Sequence, residues 1–212
     1  NNNNNNNKKN HDINKDMSPS GSNPTKSTMA GRVAKWTAET FEVGFARGKQ
    51  FQSQAAHTQA IDQFNKLLTH TTDGDLSVSL QLKLYESLGT SHRALRQHSD
   101  AYRSHATALE LKGSAGATAG QYLISFVEMI TDRYLGFEFD MALDVLTQAR
   151  DKLQSGLSDE ATGLLHKLEA FVQYCMGDYN MAINNMVVGR KKMESVTGAS
   201  EPNAMMDAVR HR

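Results

Sequence analysis

From about residue 35 onward, apolar residues recur at i, i+3, i+4 and i+7 with polar residues between them, so the pattern is helical and contains no convincing strand. Phe41, Phe45, Gly48 and Phe51 form one stripe and Ile61, Phe64, Leu67 and Leu68 the next, which predicts helices over about 35–53 and 54–70, with Thr37 or Thr40 capping the first. Thr71-Thr72-Asp73-Gly74-Asp75 breaks the pattern. Asp75 is expected to cap a long helix through Leu80, Leu84, Leu88 and His92, whose partner carries Ala101, Ala108 and Leu109 up to Gly113-Ser114-Ala115-Gly116. A third pair begins near Thr118, with Tyr122, Phe126, Met129 and Ile130 on one face, and turns at Gly136 into Ala142, Leu143, Leu146, Ala149 and Leu153. Ser158-Asp159-Glu160 is a capped, dipole-matched start for a helix through Leu164, Leu165, Leu168, Val172 and Met176. The fourth pair closes near Val196, and Ser200-Glu201-Pro202 has the order that opens a fifth.

The turns repeat as well. Gly177-Asp178-Tyr179-Asn180-Met181-Ala182-Ile183 matches Gly136 to Leu143 upstream, with weaker copies at His98 to Tyr102 and His57 to Ile61. The alanines at 60, 101, 142 and 182 are separated by 41, 41 and 40 residues. A fixed period of that size predicts an all-α chain, an α-solenoid of antiparallel helix pairs stacked in one direction. Each unit needs small residues where its helices approach, and Gly48, Gly89 and the four alanines fill that role.

Tyr85-x2-Leu88-Gly89-x2-His92, followed by Ala101, His105 and Ala108-Leu109, resembles the tetratricopeptide signature of an aromatic, Leu-Gly, a second aromatic, then Ala, an aromatic and Ala. The period exceeds the ~34 residues usual for that family. It is similar instead to the longer variant of kinesin light chains and spindle-orientation adaptors. Gly189-Arg190-Lys191-Lys192-Met193, then Gly198 and Glu201-Pro202-Asn203, resembles the way kinesin light chain repeats join. Repeat one departs from the signature with Gly44 at the first aromatic position, and repeat four with His166.

Composition divides the 212 residues in two. Residues 1–30 are Asn, Lys, Ser, Asp and Pro with almost no large apolar side chain, so this tail is expected to be disordered, leaving 31–212 for the solenoid. Lysine plus arginine and aspartate plus glutamate each number 23, so no net field draws the chain to nucleic acid or an acidic membrane. No apolar run reaches the ~20 residues of a membrane span. Cys175 is the single cysteine and is expected in the core, which fits a reducing compartment; the cytoplasm, with cytoskeletal or nuclear association open, is the expected location. The chain opens on asparagine and stops at Arg212 inside a helical pattern, which leaves open whether it is a fragment.

Candidate chemistry is sparse. His92, His98 and His105 have no metal-ligand spacing and are read as packing residues, as are His57 and His166. No acid pairs with a His or Ser as base and nucleophile, and the sequence offers no catalytic, cofactor or metal site. Arg190-Lys191-Lys192 is expected to be a solvated helix end that complements the dipole, and Met181, Met186, Met193, Met205 and Met206 are expected as core filler. The resemblance implies that the first helix of each pair lines a concave, peptide-binding face. Residues projecting there would be Lys49, Glu86, Thr90, Arg93, Val127, Thr131, Tyr134, Phe171 and Tyr174. These lack the repeated Lys and Asn of a carboxylate clamp and the asparagine ladder of kinesin light chain grooves; apolar anchors with a few charges suit a helical or extended peptide. The expected function is a non-enzymatic scaffold or adaptor for a protein or peptide partner, with a place as subunit of a larger assembly left open. The alternative is a regulatory segment of a larger enzyme or transcriptional regulator.

Overall fold

A computed structural model describes residues 38–69, 76–153 and 156–197, and every element in them is helical. The order is α1 (Ala38–Ser53), α2 (His57–Thr69), α3 (Val78–Ala94), α4 (His98–Ser114), α5 (Ala119–Leu135), α6 (Phe139–Leu153), α7 (Asp159–Met176) and α8 (Tyr179–Thr197). Each helix packs on its neighbours in sequence, so the described chain is an α-solenoid of four helix pairs. The expected tail, the Asp75 cap and the start of a fifth pair lie outside the described residues.

The turn inside each pair is the same turn four times. Ala55, Arg96, Phe137 and Gly177 have left-handed backbone, with φ of 57°, 58°, 61° and 87°, and are themselves spaced by 41, 41 and 40 residues. The amide of the following residue donates back across the turn in all four, Ala56 to Phe51, Gln97 to His92, Glu138 to Arg133 and Asp178 to Gln173, each at 2.9 Å. The left-handed residue donates to the carbonyl three positions earlier at 2.9–3.1 Å. These two bonds satisfy carbonyls that the ending helix leaves open, the Schellman arrangement. Four residues after each such amide stands one of the periodic alanines, which closes the first backbone bond of the second helix; Ala60, Ala101 and Ala142 are fully buried and Ala182 nearly so. Gly136, the apparent counterpart of Gly177, has φ −79°, and Phe137 takes the left-handed position instead.

Within a pair the helices meet at a second periodic site. A methyl group on Gly48 would overlap the Phe64 ring, and one on Gly89 would overlap the His105 ring. The same two positions in the third pair hold Ile130 and Leu146, and in the fourth Ala170 and Met186, all buried. The fourth pair keeps a small residue facing a large one, whereas the third places two branched side chains at the crossing. Helices α7 and α8 also approach at Gly163 and Gly189, where a Cβ on Gly163 would stand 2.9 Å from the Gly189 carbonyl oxygen.

Helix starts follow the expected cap chemistry with one correction. Thr118 and Gln121 form a reciprocal capping box on α5, and Ser158 accepts from the Ala161 amide on α7. On α3 the cap is Ser77, whose hydroxyl accepts from the Leu80 amide. The second helix begins at His57 rather than near Gln54, because 54–56 form the turn.

Apolar burial falls into two clusters. One joins Phe41, Ala60, Phe64, Leu67, Leu84 and Leu88 of α1, α2 and α3; the other joins Phe126, Met129, Ile130, Val145, Leu146, Leu165 and Val172 of α5, α6 and α7, with Tyr102, Ala106 and Leu109 of α4 at its margin. Between them the buried residues turn polar: Ser87, Ser91, Ser104, His105, Lys112, Ser125 and Asp132 all lie in α3, α4 and α5.

Candidate functional site

Successive first helices lie side by side, and one position near the end of each reaches the next. Gln52 of α1 donates its side-chain amide to the Ser87 carbonyl at 2.8 Å and to Ser91 Oγ at 2.7 Å. Forty-one residues later, Arg93 of α3 repeats both bonds, Nη2 to the Glu128 carbonyl at 2.8 Å and Nε to Asp132 Oδ1 at 2.6 Å, and adds an ion pair with the Glu128 carboxylate. The next member of the series is Tyr134 of α5, which replaces the polar link with an edge-on ring contact to Phe171 at 4.8 Å. The linkage along this row thus changes from amide to ionic to aromatic.

Asp132 is fully buried and serves two partners. Its second oxygen lies 2.6 Å from His105 Nδ1, and because a carboxylate only accepts, Nδ1 carries the proton. Burial disfavours the Arg93 charge, but Asp132 and Glu128 outweigh it and hold the guanidinium above its ordinary pKa. Lys112, also buried, pairs with Glu86 at 2.8 Å and donates to Ser125 Oγ at 2.7 Å. Arg133 pairs with Glu138 and stacks 3.6 Å over the Tyr102 ring.

The sequence-derived face is therefore divided by chemistry. Lys49 and Thr90 are exposed; Thr90 and Thr131 bond their own helix, to the Glu86 carbonyl at 2.9 Å and the Val127 carbonyl at 2.7 Å. Val127 is half-buried. Glu86 and Arg93 are engaged within the stack, Glu86 by Lys112 and Arg93 by Asp132 and Glu128. Tyr134 and Phe171 are brought together, and Tyr174 lies against Tyr179 with ring centres 5.5 Å apart. Burial, with Cys175 beside it, raises the Tyr134 phenol above its usual pKa.

Three expectations change. Cys175 is exposed rather than core, because it faces out from α7 on the side that carries Tyr134 of the preceding unit. Met186 is buried, but Met181 is 47% exposed; Met205 and Met206 lie outside the described residues. The basic run is not at a helix end, since α8 continues to Thr197. Arg190 pairs with Glu194 one turn on, and Lys192 reaches Asp159 of α7 at 2.7 Å, which holds that carboxyl below its usual pKa.

The aromatic group extends beyond the three residues read from sequence. Phe139 lies 6.2 Å from Tyr134 and 6.2 Å from Phe137, so the rings run from the turn of the third pair onto α7. Comparing the turns at a shift of 41 would have exposed this series, whereas helical periodicity, which ranks positions by core burial, could not.

Among the described residues no group of three or more His, Cys, Asp or Glu could hold a metal ion, and none of the helices is long and apolar enough to cross a membrane. No family model matches the chain, and no curated protein matches it.

Proposed function

We propose that the chain is a long-period tetratricopeptide-like scaffold that binds a protein or peptide partner on the face lined by α1, α3, α5 and α7, without catalysis of its own, in the cytoplasm. The observation that carries this reading is the row of first helices held side by side at fixed spacing, with Tyr134, Phe171 and Tyr174 at its C-terminal end. A ligand laid across such a row touches adjacent units and gains from their fixed geometry. Aromatic side chains offer large contact area with few rotors, which suits them as anchors. Arg93, the charged member of the row, is already held by Asp132 and Glu128, so the aromatic end is where a partner gains most.

The test is capture of partners by the full-length protein, followed by titration of the captured partner against folded Tyr134→Ala, Phe171→Ala and Tyr174→Ala variants. Each true anchor should cost at least ~1–2 kcal/mol, about tenfold or more in affinity. Charge reversal at Lys191 should cost much less. Unchanged affinity in all three aromatic variants, with a large loss on charge reversal, would move the site to the basic edge.

A further inference from the structure

Seven of the large apolar side chains that stand exposed crowd into two segments: Leu135, Phe137 and Met141 at the turn of the third pair, and Phe171, Met176, Tyr179 and Met181 around the turn of the fourth. Phe137 is 81% exposed. Ring contacts from Phe137 through Phe139 and Tyr134 to Phe171 join the two segments, and Tyr134 also meets Cys175, whose chain neighbours are Tyr174 and Met176. The rings make one continuous aromatic row at the turn edge of the last two described units, and Leu135, Met141, Met176 and Met181 stand exposed in the same two segments.

The fold does not require this surface. The four turns share backbone and hydrogen bonds, yet the position of Leu135 holds Ser53 and Ala94 in the first two pairs, and that of Phe137 holds Ala55 and Arg96. Those of Phe139 and Tyr179 hold His57 and His98, and those of Met141 and Met181 hold Gln59 and Asp100. Polar and small side chains thus satisfy the same turn, so the apolar ones in pairs three and four serve something outside the turn.

Charge identifies what. The charged residues within 135–141 and 171–181 are Glu138, Asp140 and Asp178, with no lysine, arginine or histidine among them. Glu138 is neutralised by Arg133, while Asp140 and Asp178 are exposed and make no ion pair among the described residues. An apolar ridge bordered by unpaired carboxylates complements a partner whose apolar anchors are flanked by positive charge. Methionine, unbranched and polarisable, adapts to anchors of varied shape.

We propose that this turn edge is the docking surface for a partner segment carrying Leu, Met or aromatic anchors flanked by Lys or Arg. This rests on the scaffold reading above and assigns the partner's chemistry, with contact spreading from Tyr134 and Phe171 onto the turns.

The probes are two synthetic amphipathic 18-residue peptides with identical Leu and Phe anchors, one with Lys and one with Glu at the polar positions, titrated calorimetrically against the full chain. The Lys peptide should bind at least tenfold tighter than the Glu peptide. The double variant Phe137→Ser/Met181→Ser, both at exposed positions, should lower Lys-peptide affinity at least tenfold, and Asp140→Asn/Asp178→Asn should abolish the preference, with only the small fall in thermal midpoint that removing an acid from a helix start brings. Equal affinity for both peptides, no binding of either, or indifference to the turn variants would overturn the proposal. Loss of Lys-peptide binding only in Val127→Ser/Thr131→Ala would also overturn it while leaving the scaffold reading standing. Sedimentation runs in parallel; a dimer that dissociates in Phe137→Ser/Met181→Ser would assign the ridge to a second copy and overturn the proposal as well.

Discussion

The left-handed position in each turn isolates a backbone effect at four structurally matched sites. Ala55, Arg96 and Phe137 hold a conformation that costs a residue with a Cβ about 1–2 kcal/mol, whereas Gly177 adopts it without that cost. Arg96→Gly should therefore stabilise the protein by about 0.5–1 kcal/mol after the added freedom of the unfolded chain is deducted, and Gly177→Ala should destabilise it by a similar amount. Denaturant midpoints for the two variants would check the opposite signs; a loss of stability in both would mean that the Arg96 side chain contributes more than its backbone strain costs. The crossing glycines give a second test. Gly89→Ala forces a methyl group into the His105 ring and should cost about 1–3 kcal/mol, read as a drop in thermal midpoint. The sequence made Gly89 and its role legible, because only a very small residue suits a helix pair whose other member carries a ring. It misled at Gly136, where glycine ends the helix and the strained position falls on Phe137; a residue's type cannot reveal which neighbour absorbs the turn.

Helices and their order were legible because each second helix carries a buried alanine at a fixed distance from its turn, and each stripe repeats at helical spacing. The links between first helices were not. Gln52, Arg93 and Tyr134 differ in type, and the residues that receive the first two, Ser91 and Asp132, are polar positions that a search for apolar periodicity passes over. Arg93, read from the sequence as lining the binding face, has its guanidinium held by Asp132 and Glu128, a pairing the apolar pattern does not signal. Asp132→Asn should cost about 2–4 kcal/mol, since it removes the charge that Arg93 and buried His105 share. Gln52→Ala, which removes neutral bonds at the preceding junction, should cost about 1 kcal/mol. Chemical denaturation of both variants would rank them, and equal losses would mean that the ionic junction carries no more than the neutral one.

Across the whole molecule, stability in a stack is close to a sum of units and nearest-neighbour junctions, so the described helices need not open together. Two apolar clusters flank a centre that buries serines, His105, Lys112 and Asp132. Hydrophobic burial tolerates small displacements, whereas hydrogen bonds and ion pairs fail within about an ångström of misalignment. That contrast has a mechanical meaning. On the proposed scaffold reading, partners that pull against each other load the stack, and that load would cross a brittle layer between two compliant ones. Stretched between Lys49 and Lys191, the protein should part first around α3 and α4 and extend in two steps, with Asp132→Asn lowering the force of the earlier one; a single step in an optical trap would mean that the polar layer is as tough as the apolar layers it joins.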